Sequence, residues 1–289
     1  MKLLQLVLAV TIVASGVSLL SGDELSIQQV GEKPKGFSKL FSKQIVVFGL
    51  SVYATAEVSD EDVMHAAGVL AQYLDNNEDG QADNPLVLKS LQEHQGSIVM
   101  FPDEDSAERI DVHEHIPERV WDSMIIVGLW GDETHPNGST PGKFDATLEE
   151  VLHLVTSAGY SMAYPEVFGE RTGSEIANAM DKARGGRFRK VPRKYPESAW
   201  YSYYDRSCDY RCQITEYFYW GLTSLLGAQE YAGRGDEIGD EWKLNTNEKL
   251  EQGDKLLYRL LTNPKYKFPT KLPDGQYRIK TKLGKPTKE

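Results

Sequence analysis

The chain has 289 residues, 26% charged and 40% hydrophobic, with a formal net charge of −11 at pH 7. That acidic balance excludes the electrostatic footprint of a nucleic-acid binder. With no repeat of fixed period and no low-complexity tract, the length suits one large domain or two closely packed lobes.

In chain order, Met1-Lys-Leu-Leu-Gln-Leu-Val-Leu is a positive start leading into an apolar run, and Ala14-Ser15-Gly16 supplies small residues for cleavage. This predicts a signal peptide over residues 1–22, with an uncleaved membrane anchor as the alternative, hence a secreted, extracellular protein in an oxidising space. No later segment is apolar enough to span a bilayer, so no stable membrane span is expected after signal removal. Residues 45–58 are rich in β-branched and aromatic side chains and predict one or two strands. Ser59 with Asp62 resembles a capping box opening a helix to about Leu74. Pro85 opens a second, short helix through Leu88 and Leu91. Strands are predicted over residues 97–101 and 123–130, the second apolar enough for a central strand. Asp111-Val-His113-Glu-His115 alternates like a strand, which places both imidazoles on one face.

A Gly/Pro-rich loop over residues 131–142 carries His135 and the sequon Asn137-Gly138-Ser139, a glycosylation acceptor. Beyond it, helices are predicted over 173–184, 214–231 and 241–261, joined by aromatic, Pro-rich loops. The implied organisation is a sheet-containing lobe (23–142), a mainly helical lobe (143–264) and a basic tail (265–289), solvated and partly extended. The two cysteines, Cys208 and Cys212, read as a local disulfide or a pair of metal thiolates; the compartment favours the disulfide. Gly185, Gly186, Arg187, Arg189, Lys190, Arg193 and Lys194 make a local basic patch that reads as a solvated loop.

The segment with the most chemical content is Asp145-Ala-Thr-Leu-Glu149-Glu150-Val-Leu-His153. Its apolar periodicity predicts a helix, and the i, i+4 spacing puts Glu149 and His153 on one face. Glu149-Glu150-x-x-His153 resembles the zinc-protease helix His-Glu-x-x-His with glutamate in place of the first histidine. Strands before this helix and helices after it also resemble the zincin metallopeptidases, in their gluzincin branch. The resemblance implies an α+β fold, with a small sheet packed on the active-site helix and a mainly helical second half closing a cleft. It implies zinc or another divalent transition metal held by Glu149, His153 and a glutamate on a later helix, which Glu216 matches. It implies Glu150 as general base, and a peptide or protein substrate.

Glu216 supports this independently. It lies in Cys212-Gln-Ile-Thr-Glu-Tyr-Phe-Tyr-Trp220, where a carboxylate among apolar neighbours is costly unless an ion compensates it. Glutamate for histidine adds charge and oxygen character, which makes manganese, iron or calcium more competitive with zinc. Tyr160 or Tyr217 is a candidate to polarise a substrate carbonyl. The plainer reading is an acidic helix start followed by a buried histidine.

A second motif, Asp75-Asn-Asn77-Glu-Asp79-Gly80-Gln81-Ala-Asp83, follows the EF-hand rule at positions 1, 3, 5, 6, 7 and 9 and fails at 12, which is Leu86. It predicts a structural calcium site; without an ion it is a helix-capping turn. Two further readings stay open: a non-catalytic extracellular metal- or calcium-binding interaction protein, and a glycosidase using paired carboxylates beside aromatic residues.

Overall fold

The computed structural model describes residues 25–280, so the expected signal peptide lies outside the described residues. The chain has an α+β fold around a five-stranded mixed sheet, ordered β1-β2-β3-β4-β5. The strands are β1 (Gln28–Gln29), β2 (Lys43–Val47), β3 (Leu50–Ala54), β4 (Ser97–Phe101) and β5 (Ile126–Trp130). β1, β2 and β3 pair antiparallel, whereas β3, β4 and β5 pair parallel. Phe48 (φ 50°) and Gly49 (φ 81°) make the β2–β3 hairpin with two left-handed residues in succession, the turn whose twist suits adjacent strands.

Alternating side chains of β3 and β4 face two cores. Val52, Ala54, Ile98 and Met100 join the main cluster, while Tyr53, Val99 and Phe101 join Phe37, Phe41 and Ile116 on the opposite face. The apolar run predicted as a central strand is instead the edge strand β5. It is apolar because Val127 and Leu129 pack toward one core, and Ile126 and Trp130 toward the other. His113 and His115 lie in and beside one helical turn, Val112–Glu114, and not on a strand. Asp111 caps that turn by accepting from the His113 N–H at 2.9 Å, which overrides the alternation.

Helix α1 (Asp60–Leu74) starts where expected, the Ser59 hydroxyl accepting from Asp62 N at 3.0 Å. Asn84 and Pro85 open α2 (Pro85–Glu93). Helix α3 (Thr147–Leu154) follows the loop after β5 and continues through a π-helical turn, Val155–Tyr160. Then come α4 (Glu175–Ala183), α5 (Tyr210–Leu225), α6 (Asn247–Gly253) and α7 (Lys255–Leu261). The continuous helix expected over 241–261 is split at Asp254, which caps α7 through Leu257 N and accepts from the Tyr217 hydroxyl and Trp200 Nε1. The main cluster runs from Val52 and Leu70 through Leu152 to Tyr217 and Leu257, so the sheet-bearing and helical halves share one core.

The tail departs most from expectation. Residues 265–280 carry no helix or strand, yet they pack against the body: Tyr266 and Phe268 are buried, and Gln72 on α1 accepts from Asp274 N and Gly275 N at 2.9 and 2.8 Å. Its lysines suggest solvation; its aromatics and backbone N–H groups decide its position. Among the described residues, no helix is long and apolar enough to cross a membrane.

Candidate metal centre

Asp145 fixes the start of α3. Its Oδ1 accepts from His135 N at 3.0 Å and Thr147 N at 3.2 Å, and its Oδ2 lies 2.7 Å from His65 Nε2 on α1. With Thr147, Leu148, Val151, Leu152 and Leu154 buried, the other helix face is left for Glu149 and His153. That face meets α5, which brings Glu216.

Glu149, His153 and Glu216 converge, each offering one ligand atom, with these atoms all within 4.8 Å of one another. Among the described residues, no other group of three or more His, Cys, Asp or Glu side chains does so. His153 Nε2 stands 3.6 Å from Glu216 Oε2, too long for a hydrogen bond. This buried nitrogen has no hydrogen-bond partner at all. A tetrahedral ion with ligands at 2.0–2.1 Å sets its donor atoms roughly 3.4 Å apart, so the Nε2–Oε2 spacing fits one.

The electrostatics point the same way. Burial, with the charges of Glu216 and Glu150, pushes the Glu149 carboxyl up to about 8 against the pull of His153. Burial works against the His153 imidazolium, but Glu150, Glu216 and Glu149 overcome it and raise the imidazole to about 9. Burial and Glu150 raise Glu216 as well, opposed by His153 and Tyr203. Two carboxylates and an imidazole crowded in a dry site relieve their strain by holding protons or by sharing a cation.

Glu150 lies beside the cluster, its side chain about one-third exposed, with Oε2 3.5 Å from His153 Nδ1. That is the side of the ring away from Glu216. Neither tyrosine suggested by the sequence faces the centre. The Tyr160 hydroxyl donates to the carbonyls of Tyr266 and Lys267 at 3.1 and 3.3 Å, and the Tyr217 hydroxyl donates to Asp254 at 2.5 Å. The tyrosines beside it are Tyr219, edge-on to His153 with ring centroids 5.8 Å apart, and Tyr203, which opposes the rise of the Glu216 carboxyl. Tyr219 was findable, since it sits three residues after Glu216 and so on the same helix face. Tyr203 comes from an irregular segment and left no such signal. His113, His115 and His135 are not part of the cluster.

The calcium-like loop is ordered by its own donors. Buried Asp75 accepts from Asp79 N (3.1 Å), Gly80 N (2.8 Å) and the Tyr277 hydroxyl (2.7 Å). Asp83 accepts from Asn76 N and Asn77 Nδ2, and Asp79 accepts from Gln81 N. Asp75, Asp79 and Asp83 do not converge as the Glu149 cluster does. Cys208 and Cys212 form a disulfide with Cα atoms 5.3 Å apart, flanking the Asp209 cap of α5. Asn137 is exposed in its loop. In the basic patch, Arg187 is paired with Asp181 at 2.7 Å.

No protein-family model, no curated protein and no solved structure matches this chain.

Proposed function

We propose that the protein is a secreted, zincin-like metal-dependent hydrolase acting on peptides, with zinc or another divalent transition metal held by Glu149, His153 and Glu216. The observation that carries this reading is the convergence of those three side chains around an imidazole nitrogen that is buried and unpartnered. When bound, the ion supplies Lewis acidity and lowers the pKa of a water in its open position. Glu150, partly exposed beside the cluster, would be the group that accepts a proton there. Tyr219 packs edge-on against the His153 ring and helps to fix its orientation.

Metal analysis of the purified protein beside a His153→Ala variant tests the centre. About one equivalent of transition metal, lost in the variant, is the expected result; none in the natural protein removes the reading. Calcium that survives the substitution would instead belong to the Asp75, Asn77, Asp79, Gln81 and Asp83 loop.

A second reading rests on Glu150. Its carboxylate sits on the Nδ1 side of His153, where a carboxylate orients a metal-binding imidazole. A non-catalytic extracellular metal-binding protein would use it in that way alone. Glu150→Gln separates the two. Loss of peptide turnover with metal retained is expected of a general base, whereas loss of metal together with an absence of turnover in the natural protein favours the structural role.

A further inference from the structure

A cavity of about 460 Å³ lies between the loop after β5, the turn after α5 and the tail, and none of Glu149, His153 and Glu216 lines it. Its size falls within the roughly 300–1,000 Å³ of small-molecule sites. All three residues of the sequon Asn137-Gly138-Ser139 line it, as do Asp274 and Gln276 from the tail. So do His65 and Asp145, 6% and 2% exposed and joined at 2.7 Å. Asp145 accepts three hydrogen bonds as a carboxylate, so the hydrogen of this pair is on His65 Nε2. The other ring nitrogen, Nδ1, has no hydrogen-bond partner among the described residues.

The other polar groups of the cavity are also only half used. Asp274 Oδ1 accepts from Gln72 Nε2 at 2.8 Å and Gln276 N at 2.9 Å, while its Oδ2 accepts from no described residue. Ser139 Oγ accepts from Asp145 N at 2.9 Å and keeps its own hydrogen. The side-chain amides of Asn137 and Gln276 make no hydrogen bond among the described residues. No lysine or arginine is among the described lining residues, so an anion finds no countercharge. A cation would engage the Asp274 carboxylate alone and leave both amides and the hydroxyl unmatched. A neutral ligand rich in hydroxyl groups matches the whole set, because each hydroxyl both donates and accepts. Leu148, Pro273 and Tyr231 add apolar surface for the C–H groups of such a ligand. Tyr231 is held there by its hydroxyl, which donates to Glu237 Oε2 at 3.1 Å.

We propose that this cavity is a carbohydrate site, which takes a neutral sugar ring through Asp274, Gln276 and Ser139 beside the His65–Asp145 pair. The ring comes from one of two sources: a free mono- or disaccharide, with Asn137 as a further contact, or the first residue of a glycan carried on Asn137 itself. The site is independent of the metal centre and stands with or without an ion at Glu149, His153 and Glu216.

The full chain, made once in cells without N-glycosylation and once in cells that carry it out, tests both sources. To the unmodified protein, N-acetylglucosamine, mannose and maltose are offered as probes in saturation-transfer NMR, with butyrate and n-butylammonium as charged comparators. At least one sugar should bind, and neither ion should. Gln276→Leu removes an amide with no protein partner, and Asp274→Asn keeps an oxygen for Gln72. Each should weaken that sugar about three- to tenfold at an unchanged unfolding temperature. In the glycosylating cells, a glycan seated in the cavity should be found on Asn137 by peptide mass spectrometry. It should exclude the free sugar, and its enzymatic removal should speed amide exchange over residues 270–280. Binding of no sugar by the unmodified protein, together with an unmodified Asn137 or with exchange indifferent to glycan removal, would overturn the site. So would a sugar whose affinity ignores both substitutions, or an ion that binds as well as the sugars.

Discussion

At the scale of single residues, the His65–Asp145 pair shows how the metal-bearing helix is held. Asp145 is buried, and burial alone would raise its carboxyl; His65, the His135 N–H and Thr147 outweigh that and bring it below the usual carboxylate range. A carboxylate lowered on folding contributes stability above its unfolded pKa of about 3.9 and loses it as pH falls through the folded value. Asp145→Asn keeps an oxygen for the two backbone donors and removes the charge facing His65. It should cost about 1–3 kcal/mol near neutral pH, and the gap from the natural protein should close in acid. Urea unfolding across that pH range checks this; a pH-independent gap would show that the charge is not what matters. The pair was illegible in the sequence because His65 sits mid-helix among alanines, and its partner is 80 residues away.

Elements were legible where local chemistry decides them. Ser59 and Pro85 mark helix starts that the structure keeps, because caps are satisfied within three residues. The edge position of β5 and the break at Asp254 were not legible, since both depend on partners far along the chain. Helix α5 illustrates the same limit through Gly221. A Cβ built there would lie 2.3 Å from Leu257 Cδ2 and 3.0 Å from its Cγ on α7. Alanine is the better helix former by about 1 kcal/mol, so helix propensity alone favours Gly221→Ala. The contact reverses that preference, because overpacking a closed helix pair costs about 1–3 kcal/mol. Thermal unfolding should therefore show a net loss in Gly221→Ala, and a gain would mean that Leu257 moves aside freely. Since Glu216 lies on the same helix, this packing also helps to hold a metal ligand in place.

Across the whole molecule, the residues that end the described chain bind its beginning together. The segment after Tyr266 crosses α1, where Gln72 takes two of its backbone N–H groups, Asp75 takes the Tyr277 hydroxyl, and Glu78 pairs with Lys280 at 2.7 Å. The lysine count of this segment points to a solvated tail, because composition registers charge but not which backbone groups find acceptors. Its closest approach is at Gly68, where an added Cβ would lie 1.9 Å from the Gly275 carbonyl oxygen. The obstructing atom is backbone, so no rotamer change relieves it. Gly68→Ala should lift the segment at a cost of about 1–3 kcal/mol. Amide exchange should accelerate over residues 270–280 and in the Asp75 loop they brace, while β3 and β4, buried on both faces, keep their protection. Unchanged exchange in 270–280 would mean that this segment is not held by its approach to α1.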